Sequence, residues 1–283
     1  MRASSEITPR DEDEEYVWRF DQVQIDHPNP TAFTRLIYLE RITTMIDTIK
    51  GLVPAGARIA DVGCAQGNLA LLLAESGYQV DAYDLNASFL EYSKRKWTSG
   101  EVAWINANAF EIGQEETYDA VILGEILEHV AHPDDLLTQA LSLLVPGGII
   151  VATTPNGRFV RNPLPSYEEV IARGDAERLE AEQFGPGGEH HLFAYTVDEI
   201  RQHIPVGAEL VSLRYLGSGL YNSHAQRLLD AGVLGAPYRA LARKVVTIPV
   251  LDRALGSTLV LVLRRRQENP GGARAFDHRR SIP

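Results

Sequence analysis

The segment Arg58-Ile59-Ala60-Asp61-Val62-Gly63-Cys64-Ala65-Gln66-Gly67-Asn68 constrains this chain more than any other. Roughly twenty residues on comes Val80-Asp81-Ala82-Tyr83-Asp84. A short apolar run feeds a glycine-containing loop, a helix follows, and a second apolar run ends in an acid. That order is the layout of a nucleotide-type ligand site at the carboxyl ends of parallel strands. Gly63 and Gly67 let the backbone turn tightly and approach a ligand where a Cβ would collide. Asp84 closes the second run, where a carboxylate can accept both hydroxyls of a ribose. A dinucleotide loop reads G-x-G-x-x-G, with pyrophosphate resting on the helix N-terminus. Here the spacing is Asp61-x-Gly63-x-x-x-Gly67, and an acid ahead of the first glycine repels phosphate. The loop suits a zwitterionic, phosphate-free ligand.

A length of 283 residues fits one large domain, or one domain with additions. The formal charge of −11 argues against wrapping long nucleic acid by electrostatics alone. Cys64 is the only cysteine, so no intramolecular disulfide can form and a reducing, cytoplasmic setting is expected. Its place in the glycine loop reflects a need for a small side chain rather than reactivity. The N-terminus carries an acidic run at 11–15 instead of an apolar leader, and no uninterrupted apolar stretch is long enough to span a bilayer.

Along the chain, residues 1–15 read as disordered and 16–55 as an N-terminal helical cap, with a helix over 31–50 beside the core and covering the ligand site. Residues 56–265 then alternate. Strands are expected at 58–62, 78–83, 102–105, 118–123 and 149–153, with helices at 69–76, 89–96 and 133–144 between them. Repeated βα units of this length predict a mainly parallel sheet with helices on both faces. Residues 158–192 break the pattern and read as an insertion or lid over the carboxyl edge, with a charged helix over 168–182. A helix at 196–204 is capped by Thr196, with Glu199 three residues on. Strands at 209–215 and 257–263 enclose a second insertion, 219–254, rich in Leu, Val and Arg. Packing on the core or on a second copy, as a homodimer, is the favoured reading of that insertion over membrane-surface contact. The tail, 266–283, reads as disordered.

With these residues in view, the chain resembles the class I S-adenosylmethionine-dependent methyltransferases, whose first motif is D/E-x-G-x-G-x-G; Ala65 stands for the middle glycine. The resemblance implies a Rossmann-like, seven-stranded sheet with an antiparallel edge hairpin. It implies a cofactor site in which Gly63, Cys64 and Gly67 meet the methionine part, with Asp61 near its ammonium group. Asp84 would hold the ribose and Leu85 the adenine. Asn108-Ala109 occupies the place of the family's acid-Ala pair near the adenine amino group, with Phe110 able to stack on the ring. Glu125 would touch the cofactor edge.

A second constellation follows the fourth strand: Gly124-Glu125-Ile126-Leu127-Glu128-His129-Val130. If this segment is helical, Glu125 and Glu128 share a face with His129 nearby, a donor set able to bind a divalent cation. Gly188-Glu189-His190-His191-Leu192-Phe193-Ala194-Tyr195-Thr196 supplies a further ligand. The E-x-x-E-H run, with Thr154-Pro155-Asn156 and the aromatic-Thr pair, is similar to the small-RNA 3′-terminal 2′-O-methyltransferases and to the ubiquinone-pathway O-methyltransferases. That resemblance implies Mg²⁺ or Mn²⁺ on Glu125, Glu128, His129 and His191, with His129 or His190 as catalytic base. Alternatively, the two glutamates cap the following helix and His129 packs locally.

The reading that results is a metal-assisted O-methyltransferase acting on a hydroxyl of a small molecule or saccharide. RNA 2′-O-methylation is the alternative within the same chemistry, disfavoured by the acidic balance and the lack of a basic, aromatic-interleaved module. A non-catalytic, cofactor-binding scaffold subunit is the alternative of another class.

Overall fold

Apolar, β-branched runs buried on both faces are the mark of parallel strands covered by helices, and they build the centre of this molecule. The strands of the computed structural model, which describes residues 1–113, 115–183 and 191–267, are Arg58–Val62 (β1), Gln79–Asp84 (β2), Glu101–Asn106 (β3), Tyr118–Gly124 (β4), Leu144–Pro155 (β5), Ala208–Ser218 (β6) and Gly256–Arg265 (β7). They form one sheet in the order β3-β2-β1-β4-β5-β7-β6. Neighbours from β3 to β5 are parallel, and β7 runs antiparallel to both β5 and β6. The expected parallel sheet with an antiparallel edge hairpin is the one observed.

Side chains alternate across this sheet. Val121 and Leu123 of β4 pack to one side with Leu136 and Leu137, and Ile122 packs to the other with Met45, Ile49 and Leu71. The helices, in chain order, are Glu12–Val23 (α1), Phe33–Leu52 (α2), Asn68–Glu75 (α3), Ala87–Lys96 (α4), Pro133–Leu143 (α5), Tyr167–Arg173 (α6), Ala176–Gln183 (α7), Val197–Gln202 (α8), Ser223–Asp230 (α9), Ala236–Val245 (α10) and Leu251–Leu255 (α11). Thr196 and Glu199 form a full capping box on α8, as their spacing predicts. The charged stretch expected as a single helix over 168–182 is instead α6 and α7, parted at Gly174, whose φ of +68° ends α6.

The strand order reverses between β1 and β4, which opens a crevice at their carboxyl ends. Two additions fold against this framework. Residues 1–15, expected to be disordered, are folded: a 3₁₀ turn at Ser4–Glu6 accepts a hydrogen bond from Trp18 Nε1 at 2.9 Å, and Ile7 and Val17 are buried against Tyr92. The partners that order this segment lie far along the chain, where no local pattern announces them. The second insertion folds onto the molecule's own core. Tyr221, Ala225, Leu229, Ala242 and Val246 are buried, and Tyr221 packs on Phe33 at the start of α2 with ring centroids 4.9 Å apart. Among the described residues, no helix is long and apolar enough to cross a membrane.

Candidate active site

The glycine loop adopts the backbone its sequence requires. Gly63 and Gly67 have φ of +73° and +69°. A Cβ at Gly63 would stand 2.8 Å from Ile126 Cδ1, and one at Gly67 would stand 2.7 Å from Ser93 Oγ and 2.8 Å from Trp104. Ala65, in the middle-glycine position, is also left-handed, at φ 45°. Its amide donates to Asp84 Oδ2 at 2.8 Å, while Asn86 N donates to Asp84 Oδ1 at 2.8 Å. Two backbone amides thus hold the Asp84 carboxylate in place, and each oxygen keeps a lone pair for a ligand hydroxyl. Burial nevertheless pushes the Asp84 carboxyl above its usual range.

Asp61 is 3% exposed, and its Oδ2 has no hydrogen-bond partner among the described residues. Burial, and secondarily the nearby Asp84 charge, push its carboxyl up to about 7. A buried acid in that condition is matched by a cationic ligand group. Burial also pushes the Cys64 thiol up, which fits a packing role and not a nucleophile.

Beside the loop lies a cavity of about 770 Å³, within the range of small-molecule sites. Gly63, Asp84, Leu85, Asn108, Ala109, Phe110 and Glu125 line it, as do His129 and His191. Asp61, Cys64 and Gly67, also expected at the cofactor, are not among the lining residues. Asn108 Oδ1 accepts from Phe110 N at 3.0 Å and caps a 3₁₀ turn at Ala109–Glu111. Its carbonyl thereby shapes the loop and keeps a second lone pair.

The second constellation is assembled differently from the helical arrangement that its spacing suggests. Glu125 is left-handed, at φ 56°, and a single 3₁₀ turn, Leu127–His129, follows. The two glutamates consequently do not share a helix face. Glu128 is fully buried, with Oε2 accepting from Thr154 Oγ1 at 2.9 Å and Oε1 left 3.9 Å from His191 Nε2. The rings of His129 and His191 meet edge to face, with centroids 4.8 Å apart. Glu128, His129 and His191 can bring one ligand atom each within 4.8 Å of one another. Glu125 is not in that group; its Oε2 pairs with Arg41 Nη1 at 3.1 Å. His190 lies outside the described residues.

Burial, and next the neighbouring Glu125, push the Glu128 carboxyl well above the usual range. Asp61 Oδ2, Glu125 Oε1, Glu128 Oε1 and Thr153 Oγ1 are all buried without a hydrogen-bond partner among the described residues, and all sit at the carboxyl ends of β1, β4 and β5. Orphaned buried acceptors are rare in folded proteins, and when clustered they mark a ligand-binding edge. Two contributors escaped the sequence reading. Arg41 lies on α2, far from either motif, and Phe20 of α1 lines the cavity beside Phe89. No spacing rule links them to the loop; only the tertiary fold does.

A family model for a methyltransferase domain matches residues 38–205. With the sheet order and the glycine-loop site, this defines the chain as a member of the class I S-adenosylmethionine-dependent methyltransferases. Within that class, the ubiquinone biosynthesis O-methyltransferase of Xanthomonas axonopodis pv. citri (strain 306) is 34% identical over 196 residues, covering 68% of this chain and 72% of the relative. Among solved structures, the N-methyltransferase NodS from Bradyrhizobium japonicum WM9, in complex with S-adenosyl-L-homocysteine, superimposes with a TM-score of 0.51 at 13% identity, covering 90% of this chain and 99% of NodS. An S-adenosylmethionine-dependent methyltransferase from Mesorhizobium loti gives 0.51 at 17% identity, covering 77% and 96%. These two likenesses establish the fold.

Proposed function

We propose that this methyltransferase carries out divalent-metal-assisted O-methylation of a hydroxyl on a small molecule or saccharide. The observation that carries the reading is the convergence of Glu128, His129 and His191 beside the cofactor cavity. The donor set fits a cation: among the described residues Glu128 Oε1 is buried without a hydrogen-bond partner, and burial and Glu125 push its carboxyl well above the usual range. A divalent ion reverses both costs. One carboxylate and two imidazoles, completed by water or substrate oxygens, accommodate Mn²⁺ or Mg²⁺. The O-methyltransferase at 34% identity supports oxygen as the accepting atom.

When bound, S-adenosylmethionine supplies an electrophilic methyl group and the ion supplies Lewis acidity. The remaining work belongs to the chain. Asp84 would accept from the ribose hydroxyls and Asp61 would offset the charge of the cofactor's ammonium group. Leu85, Ala109 and Phe110 would flank the adenine. Glu125, held by Arg41, borders the cofactor edge and does not ligate the ion. Glu128, His129 and His191 would hold the ion, which would supply Lewis acidity to the acceptor hydroxyl. His190, next to His191 in sequence, offers an imidazole for the hydroxyl proton.

The test is methyl transfer from labelled S-adenosylmethionine to a panel of catechols, vicinal-diol saccharides and short RNAs, before and after chelation. Label on a catechol or saccharide hydroxyl, lost with EDTA and regained with Mn²⁺ or Mg²⁺, is the expected result. Transfer confined to RNA 3′ ends supports the RNA reading, and cofactor binding with transfer to no acceptor supports a scaffold.

A further inference from the structure

The polar centre that joins α1 to the glycine loop has no part in the chemistry above. Lys96, at the end of α4, and Asp21, on α1, are both fully buried. An ammonium has three N–H donors, and the acceptors around Lys96 are three: Asp21 Oδ2 at 2.5 Å, Gln66 O at 3.3 Å and Asn68 Oδ1. Two of these belong to the glycine loop and its helix start, and one to α1. The Asp21 carboxylate also accepts from Asn68 Nδ2 at 2.8 Å and Tyr92 OH at 2.9 Å. One cation therefore bridges the cofactor loop and the N-terminal helix. The residue before Asp21, Phe20, reaches the cavity wall and faces Phe89 with ring centroids 6.2 Å apart. Helix α1 precedes the region matched by the family model, which begins at residue 38.

We propose that α1 is a cofactor strap. Phe20, beside Phe89, is its contact at the cavity, and Asp21 is the positioning residue that ties strap closure to the geometry of the glycine loop through Lys96 and Asn68. The coupling is reciprocal by necessity. A cofactor seated on the loop holds α1 down, and a docked α1 raises cofactor affinity. Arg19, exposed on the helix just before Phe20, gives a protease-sensitive reporter, since cleavage within a helix requires it to open locally. The inference rests on the cofactor assignment and is independent of the metal.

The experiment uses the full chain with S-adenosyl-L-homocysteine as the probe. Saturating probe is expected to slow trypsin cleavage after Arg19 by about fivefold or more, at the low end of coupling between linked sites. Phe20→Ala is expected to weaken probe binding by about tenfold in calorimetry, while the unfolding temperature of the ligand-free protein stays near wild type and Phe20→Tyr restores affinity. Asp21→Asn is expected to weaken probe binding and to speed cleavage after Arg19. Probe binding that leaves Arg19 cleavage unchanged, with full affinity in Phe20→Ala, overturns the strap alone. Failure of the wild-type chain to bind the probe overturns the cofactor assignment and the strap together.

Discussion

Arg41 on α2 lies 3.1 Å from Glu125, the residue that follows β4 and lines the cavity beside the glycine loop. Glu125 keeps a left-handed backbone, and its other carboxylate oxygen is buried without a hydrogen-bond partner among the described residues. Arg41 is thereby the counter-charge that allows an acid at that turn, and its guanidinium also lies 5.3 Å from the Tyr38 ring centroid. Replacing Arg41 with Met leaves the Glu125 charge uncompensated. The expected cost is about 1–3 kcal/mol of stability, the usual penalty for orphaning a buried polar group, with weaker cofactor binding. Urea unfolding and calorimetry with S-adenosyl-L-homocysteine measure the two effects.

The glycine loop supports a pair of predictions with opposite sign. At Gly67 a Cβ would meet Ser93 and Trp104 at 2.7–2.8 Å in a left-handed backbone, so Gly67→Ala is expected to destabilise by about 1–3 kcal/mol. Ala65 already carries the strain of φ 45°. Ala65→Gly relieves it, and after the entropy cost of glycine a net gain of about 0.5–1 kcal/mol is expected. Thermal unfolding of the two variants should move in opposite directions.

The dependence on pH follows from buried acids. The folded-state pKa of Asp61 is raised, to about 7 against an ordinary 3.8. The folded protein thus keeps a proton that the unfolded chain releases between those values. Its contribution to stability is present at low pH and is lost as pH rises through about 7. Asp84 and Glu128 are displaced in the same direction by burial. The unfolding temperature of the ligand-free protein is expected to fall from pH 5 to pH 8 relative to an Asp61→Asn variant. A ligand ammonium favours ionised Asp61, so S-adenosyl-L-homocysteine binding should release protons near pH 6 and tighten as pH rises to about 7. Calorimetry in buffers of different ionisation enthalpy reads the proton count directly.

Much of this arrangement could be read from the sequence, and what could not has a common cause. The βα alternation, the Asp61-to-Asp84 loop and the Thr196 cap are local patterns, and local chemistry decides them. The Glu125–Glu128 spacing is local as well, yet it misleads. Three residues bring side chains together only on a helix, and here the backbone turns left-handed at Glu125 before a 3₁₀ turn. His191 joins Glu128 and His129 from more than sixty positions away. Arg41 and Asp21 gain their roles from partners at a comparable distance in sequence. The ordering of residues 1–15 likewise depends on contacts remote in sequence, with Tyr92 and Arg95. Long-range pairing decides these features, and periodicity carries no signal for it.

The central claim, a divalent ion held by Glu128, His129 and His191, is tested most directly by titrating the protein with Mn²⁺ and following water-proton relaxation, which requires no knowledge of the acceptor. Saturable binding is expected at one site per chain, abolished in Glu128→Gln and weakened at least about tenfold in His191→Ala, the usual effect of losing a ligating group or its support. Equal Mn²⁺ binding by wild type and both variants, or no saturable binding by any of them, would contradict it.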